Sequence, residues 1–229
     1  MTKHLAAPLS ALLATLLVVD ASAFCRSTTC DPRKSDCERD NEGCKITGKS
    51  LAWATSCPGL SVAPEGTQNI DAAAVERALT ASLGAWSALA CPDGAADFAW
   101  ARLAPSSCAV GYRKSAPNAN VIVFRDNAWP HQGAENTLGF TTVTFDVESG
   151  QILDSDTEIN SAQNPITTAD TGVKYDFQSI LTHELGHALG IEHVDDPTAV
   201  MYYLMEGQLA ELALAPTDVA AYRDQCGTK

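Results

Sequence analysis

One eleven-residue stretch restricts the fold of this chain more than any other; it reads HELGHALGIEH and covers residues 183–193. Asp176 can cap a helix that runs from Phe177 to Leu189. In such a helix His183 and His187 are four residues apart, so both imidazoles lie on one face, separated by one turn. The pattern therefore predicts a helix that presents two metal ligands side by side, with Glu184 next to them.

Gly190 should end this helix, because glycine most readily adopts the left-handed conformation found after the last helical turn. The chain can then turn back and bring His193 from a loop towards His183 and His187. Three neutral imidazoles around one zinc ion leave a fourth position for water, which is typical of a catalytic site. The alternative is a core helix that carries three histidines by chance, and the fixed spacing argues strongly against it.

The stretch resembles the extended zinc signature of the metzincin endopeptidases. Met201, eight residues beyond His193, resembles their Met-turn, and this short spacing is similar to that of the matrixin branch. Within that branch the chain resembles the small secreted bacterial members. The resemblance implies one catalytic zinc ion on His183, His187 and His193. It also implies Glu184 as the general base of peptide-bond hydrolysis and Met201 as a hydrophobic floor beneath the metal.

The implied fold class is α/β, or α+β, with a zincin-like catalytic domain. Its expected parts are a twisted, mostly parallel sheet with one antiparallel edge strand, a long packing helix, the zinc helix, and a small C-terminal part beyond Gly190. Asp218 matches an aspartate that in matrixins hydrogen-bonds the Met-turn. The substrate implied is a protein or peptide, held in extended form along the edge strand.

Two departures from the matrixin pattern follow the third histidine. Val194 stands where matrixins usually have serine, and Tyr202-Tyr203 stands where they usually have Tyr-Pro. Tyr203 has the offset at which astacins and serralysins place a zinc-binding tyrosine; the alternative role for Tyr202 and Tyr203 is in the oxyanion site or the pocket wall. The rival functions are an astacin- or serralysin-like protease with Tyr203 at the zinc, and a zinc-containing peptide-binding protein without turnover.

The first 23 residues are typical of a signal peptide. Lys3 precedes an apolar run over residues 9–19, which is followed by the small residues Ala21 to Ala23. We therefore expect secretion, into the periplasm if the source has an outer membrane. A net charge of −13 without a basic run argues against nucleic acid and anionic membranes as partners. No membrane anchor and a monomeric state are expected.

All eight cysteines follow the expected cleavage site, and in an oxidising compartment they should form disulfides. Their pairing cannot be derived from the sequence, although Cys91 with Cys108 would join the end of a helix to the end of the next strand. Residues 24–50 are polar and cysteine-rich, which indicates an N-terminal extension stapled by disulfides. Residues 51–229 should form the catalytic domain.

The expected elements of that domain follow from hydrophobic patterns and caps. Asp71 should begin a helix that reaches about Leu89. The expected strands cover residues 60–62, 97–103, 121–124, 138–145 and 151–159, the last two as a hairpin, and a closing helix covers 217–226. His131 is interpreted as a loop histidine.

The strand over residues 151–159 places three carboxylates on one face, since alternate side chains share a face. They are Asp154, Asp156 and Glu158. Like charges at this spacing repel unless they are solvated or bridged by a cation. Solvation is the expected account, and a calcium site is the alternative.

Overall fold

The computed structural model describes residues 24–94, 98–169, 174–203 and 214–226. The expected signal peptide, residues 1–23, and Asp97, the expected start of a strand, lie outside the described residues. Among the helices of the described ranges, none combines the length and the apolar character needed to cross a membrane.

A six-stranded mixed sheet forms the frame of the domain. The long strand β6 (Gln151–Ile159) has the parallel strands β1 (Ala52–Trp53) and β4 (Val121–Phe124) on one side. On its other side lies β5 (Gly139–Phe145), its only antiparallel partner among the described residues. Strands β2 and β3 continue the parallel part beyond β4. The bounds are β1 Ala52–Trp53, β2 Gly59–Val62, β3 Ala101–Arg102, β4 Val121–Phe124, β5 Gly139–Phe145 and β6 Gln151–Ile159. The expected mixed sheet with one antiparallel edge strand is therefore confirmed.

Three helices and a small two-stranded sheet complete the fold. The helices are α1 Ala72–Ser87, α2 Phe177–Ala188 and α3 Pro216–Arg223, and the small parallel sheet pairs β7 Ile166–Thr167 with β8 Tyr175–Asp176. Both expected caps form: Asp71 accepts the N–H of Ala73 at 3.0 Å, and Asp176 accepts the N–H of Ser179 at 2.7 Å. These bonds satisfy donors that the first helical turn leaves free, so they fix where α1 and α2 begin.

Helices α1 and α2 pack against each other through buried polar contacts as well as apolar ones. Trp86 is fully buried, and its indole N–H donates to the carbonyl of Thr182 at 2.9 Å. The hydroxyl of Thr182 donates to that of Ser82, also at 2.9 Å. Such bonds between buried groups define how the two helices lie relative to each other, because breaking one leaves a desolvated polar atom.

The disulfides differ from the expectation in two respects. The bonded pairs are Cys25–Cys44, Cys30–Cys37 and Cys91–Cys226, while Cys57 and Cys108 are free thiols. Full pairing of all eight cysteines and the bond between Cys91 and Cys108 were therefore wrong expectations. The end of α3 lies beside Cys91, where Arg223 donates to the carbonyl of Ala90 at 3.1 Å. That long-range packing selects Cys226 as the partner of Cys91.

The carboxylates on β6 are buried, so the expectation that water solvates them is wrong. Asp154, Asp156 and Glu158 are 3%, 1% and 2% exposed. Glu158 is bonded to Arg125 and to His131, the latter at 2.8 Å. His131 is therefore a loop histidine whose ring is bonded to a buried carboxylate of β6.

The other two carboxylates share a different environment on the same face of β6. Asp156 accepts the backbone N–H groups of Gly111 at 2.6 Å and Val121 at 3.0 Å. Burial and the neighbouring charge of Asp156 raise the pKa of Asp154 to about 7. Within the described ranges, only the three histidines of the sequence motif converge as a metal-ligand set. The calcium site at Asp154, Asp156 and Glu158 stays an untested prediction.

Asp154→Asn should change the pH dependence of folding stability. The pKa of Asp154 in the folded chain, about 7, lies above its ordinary value of 3.8. Its contribution is therefore complete below pH 3.8 and is lost as the pH rises through 7. Relative to the variant, the wild type should lose up to about 3 kcal/mol of unfolding free energy between pH 5 and pH 8, measured by urea unfolding in EDTA.

Glu148→Gln in the exposed β5–β6 turn is the matched control and should track the wild type. A difference between wild type and Asp154→Asn that does not vary with pH would contradict the shared burial of Asp154 and Asp156. Repeating the series with calcium tests the calcium prediction, because a bound divalent cation would stabilise the wild type selectively at pH 8.

Candidate metal centre

Three imidazoles meet at the end of helix α2. Their ligand atoms lie within 4.8 Å of one another, and the Nε2 atom of His193 is 3.1 Å from that of His183 and 3.1 Å from that of His187. Gly190 has φ +83°, the left-handed conformation expected from the sequence, and it turns the chain back after the helix. The sequence prediction that His193 reaches the other two from a loop is therefore matched by the geometry.

Hydrogen bonds at the opposite ring nitrogens fix the tautomer of two of these histidines. The Nδ1–H of His183 donates to the carbonyl of Val200 at 2.7 Å, and that of His187 to the carbonyl of Ile191 at 2.8 Å. Because a backbone carbonyl can only accept, each Nε2 keeps its lone pair directed at the common point.

Burial lowers the pKa of His183 and His187, and neighbouring histidines lower it further, while partial burial lowers the pKa of the more exposed His193. The pKa falls well below the ordinary value for His183 and to about 4 for His187, and it is also lowered for His193. Neutral imidazoles are the form that binds metal. Zinc–nitrogen bonds of about 2.0–2.1 Å in a tetrahedral site place the nitrogens about 3.3 Å apart. The donor set therefore fits a zinc ion.

Glu184 lies beside the triad, and its side chain is buried. Burial raises the pKa of its carboxyl group to about 7, against the opposing effect of a hydrogen bond from Thr141. The hydroxyl of Thr141 lies 2.6 Å from Oε2 of Glu184. Gly139 gives the carboxylate room, because a Cβ at that position would lie 2.6 Å from Oε1.

Thr141 and Gly139 were not among the residues selected from the sequence. Both belong to β5, and nothing in the sequence around them indicates a contact with Glu184, which lies more than 40 positions later. Only the packing of β5 beside α2 brings them to Glu184. Knowledge of that pairing would have been needed to find them.

Met201 is fully buried beneath helix α2. A Cβ at Gly186 would lie 2.3 Å from the sulfur of Met201, so glycine is needed where the helix rests on the methionine. The fully buried carboxylate of Asp218 accepts the N–H groups of Val200 at 2.9 Å and Met201 at 3.1 Å. The contact expected between Asp218 and this turn is therefore confirmed.

Tyr202 and Tyr203 follow the turn, and Tyr203 lines the cleft beside the histidines. Their ring centroids are 4.7 Å apart, and the Tyr203 ring is 6.5 Å from that of His193. A hydrogen bond with the Tyr203 phenol raises the pKa of Tyr202. Val194, which replaces the usual serine, is buried and donates its N–H to the carbonyl of Met201 at 3.0 Å. Tyr203 is 59% exposed, so its side chain lies at the cleft surface.

The triad opens into a cleft of about 1350 Å³. Strand β5, residues 194–196 and Tyr203 line it, together with residues between Cys25 and Lys45. Among the described residues, β5 pairs only with β6, so its second edge carries unpaired backbone groups. An extended peptide can hydrogen-bond to such an edge.

Comparisons with known proteins agree with this geometry. A probable matrix metalloproteinase of Invertebrate iridescent virus 3 is 33% identical over 120 residues, covering 49% of this chain and 31% of the viral protein. Matrilysin of Rattus norvegicus is 31% identical over 102 residues, which is 44% of this chain and 36% of matrilysin. The chain thus aligns with only about a third of the length of these relatives.

The family profile described as Matrixin matches residues 60–225, which include the whole sheet from β3 onward, all three helices and the histidine triad. This range is well over half of the 229 residues. The chain therefore belongs to the matrixin family, and its three converging histidines form the zinc site of that family.

Proposed function

We propose that this chain is a zinc-dependent endopeptidase that hydrolyses peptide bonds in protein substrates. The observation that carries the proposal is the placement of a buried carboxylate, Glu184, between the histidine triad and the open edge of β5. A pKa of about 7 suits a group that must accept and release a proton near neutral pH. The similarity to matrilysin and to a viral matrix metalloproteinase supports the same activity.

A bound zinc ion would supply a Lewis acid that acidifies a water molecule and polarises the scissile carbonyl. His183, His187 and His193 would hold that ion, with Met201 packed beneath without ligating it. Glu184 takes one proton from the attacking water while the water oxygen bonds to the carbonyl carbon. When the carbon–nitrogen bond breaks, Glu184 returns the proton to the leaving amine.

The substrate is proposed to bind in extended form along β5. Main-chain hydrogen bonds to the free strand edge give affinity without requiring particular side chains. Tyr203 lines the cleft near the histidines and its ring packs against that of Tyr202, so we propose the two rings as a wall for the side chain next to the scissile bond. The proposed substrates are therefore peptides or protein segments that can adopt an extended conformation.

A peptide-binding protein without turnover is the competing function. A structural zinc site usually closes its fourth position with a protein ligand. In the described ranges, only three potential ligands converge, and all three are imidazoles. No fourth His, Cys, Asp or Glu in those ranges closes the site. A buried base beside an incomplete ligand set favours catalysis over binding alone.

Export of the protein is also proposed. It is supported by the signal-peptide pattern of residues 1–23 and by three disulfides, which persist in oxidising compartments. We further propose residues 24–50 as an N-terminal extension of a catalytic domain over residues 51–229. The likeness to small secreted bacterial matrixins stays part of this proposal, since the named relatives are viral and mammalian.

Glu184→Gln should separate zinc binding from catalysis. The amide keeps the size of the side chain but cannot accept the proton, so kcat/KM should fall by about 100-fold or more. Zinc content, measured by metal analysis of the purified protein, should stay at one ion per chain. Turnover within a few-fold of the wild type would contradict the assignment of Glu184 as the base.

Thr141→Val should move the acidic limb of the pH profile of kcat/KM to higher pH. The hydroxyl stabilises the charged carboxylate of Glu184, so its removal raises the pKa of the base and leaves less of it deprotonated. At pH 6 the variant should be roughly tenfold slower than the wild type, with a smaller difference at pH 8.

Thr142→Val is the matched control, because the adjacent side chain of β5 points to the other face of the sheet. Its pH profile should coincide with that of the wild type. Equal profiles for Thr141→Val and Thr142→Val would show that the Thr141 hydroxyl does not act on Glu184.

Tyr203→Phe decides between a rim residue and a participant in the chemistry. The phenylalanine keeps the ring that forms the cleft rim and loses only the hydroxyl, so kcat/KM should stay within about threefold. A loss of about 100-fold in kcat would instead assign the phenol to the zinc or to the oxyanion. Steady-state kinetics on one fluorogenic peptide measure either outcome.

A further inference from the structure

We propose that the disulfide-linked segment from Cys25 to Lys49, called here the N-terminal clip, positions the third zinc ligand, with Arg26 as its main positioning residue. The inference rests on the proposed zinc site and adds a part of the chain that lies before the matched family region. The clip holds the short loop between Gly190 and His193, and through it the imidazole of His193.

His193 needs such support more than the other two ligands do. His183 and His187 are held by helix α2 and by hydrogen bonds from their Nδ1 atoms to backbone carbonyls. In the part of the chain that the structure describes, no corresponding hydrogen bond holds Nδ1 of His193, and its side chain is exposed. The position of its Nε2 therefore depends on the backbone of the loop.

The clip binds that backbone by a short antiparallel pairing in which Arg26 lies opposite Ile191. Ser27 donates its N–H to the carbonyl of Gly190 at 2.9 Å, and Glu192 donates its N–H to the carbonyl of Cys25 at 2.9 Å. These two bonds bracket the loop on both sides of Ile191, directly before His193. Each satisfies a backbone group that would otherwise have to find water.

Arg26 strengthens this pairing with its side chain, which is only 7% exposed. Its Nε donates to the carbonyl of Gly190 at 3.2 Å, and the guanidinium also bonds to the carbonyl of Leu51 and to Asp224, the latter at 3.4 Å. Burial lowers the pKa of Arg26 to about 10, so the group stays charged at neutral pH. One cation thus joins the zinc loop to the start of the catalytic domain and to the end of α3.

A second contact reaches the residue next to the ligand. Lys45 donates to the carboxylate of Glu192 at 2.5 Å, and both side chains are largely buried. The disulfide between Cys25 and Cys44 joins the chain next to Arg26 to the chain next to Lys45. The clip is therefore cross-linked at the point where it holds the loop.

The close approach of Leu51, just after the clip, adds a second requirement for glycine at position 190. A Cβ on Gly190 would lie 2.8 Å from the carbonyl oxygen of Leu51, which is also bonded to Arg26. Glycine at position 190 is therefore required both by the turn that ends the helix and by the packing of Leu51 against it.

The test compares Arg26→Ala with Arg33→Ala in the full chain. Arg33 lies in the same clip, but its side chain is 86% exposed, and among the described residues it bonds to Asp31 alone, within its own turn. Zinc affinity is measured by competition with a chromophoric chelator, and the ligand geometry by the visible spectrum of the cobalt-loaded protein. Arg26→Ala should weaken zinc binding by about 10-fold or more, as the loss of groups that orient metal ligands commonly does.

The cobalt spectrum of Arg26→Ala should move towards that of His193→Ala, while Arg33→Ala should match the wild type in both measurements. Val75→Ala in the core of α1 controls for general destabilisation, because it removes buried methyl groups away from the clip. Its melting temperature should fall with no change in zinc affinity or spectrum. Zinc affinity that falls equally in Arg26→Ala and Val75→Ala would overturn the positioning role.

Lys45→Met provides a second test in case Arg26→Ala does not fold. This variant removes the ion pair with Glu192 and should weaken zinc binding about threefold. Wild-type zinc affinity and spectrum in every folded clip variant would refute the proposal. Neither readout requires peptide hydrolysis. A wild type that binds zinc without cleaving peptides would therefore refute the proposed function and leave the clip assignment to be judged on the metal data.

Discussion

Helix α2 has to end at Gly190 for the third imidazole to reach the other two. With φ +83° at this residue, the chain reverses within one position and brings His193 back over the last helical turn. His183 and His187 could form a two-ligand site on any straight helix, but two imidazoles hold zinc weakly. The reversal supplies the third imidazole, and within the described residues no fourth His, Cys, Asp or Glu donor joins the three, so the composition of the site depends on this turn.

Two other parts of the domain hold helix α2 in place, namely the turn at Met201 and strand β5. Asp218 fixes the backbone of the turn at Met201, whose sulfur packs against the helix at Gly186. Strand β5 brings Thr141 to the carboxylate of Glu184. The burial that lowers the pKa of His183 and His187 also raises the pKa of Glu184 to about 7, so one environment acts on these two ligands and on the proposed base.

Features governed by local signals could be predicted from the sequence. Asp71 and Asp176 cap their helices, Gly190 ends α2, and the alternating pattern of residues 151–159 gives β6, because each depends on neighbours within a few positions. Contacts between distant segments could not be predicted. Cys91 pairs with Cys226 because the end of α3 lies beside the residues that follow α1. The carboxylates of β6 are buried because distant chain segments cover a face that its alternating pattern alone would leave to water. The role of Thr141 has the same non-local origin.

The most direct test of the zinc-dependent activity is a titration of zinc into the metal-free protein, followed by cleavage of an unfolded protein substrate. Hydrolysis should rise in proportion to bound zinc and reach its plateau at one ion per chain. The chelated protein should be inactive and regain full activity with zinc. Cleavage that persists without zinc, or a protein that binds one zinc ion tightly and cleaves nothing, would contradict it.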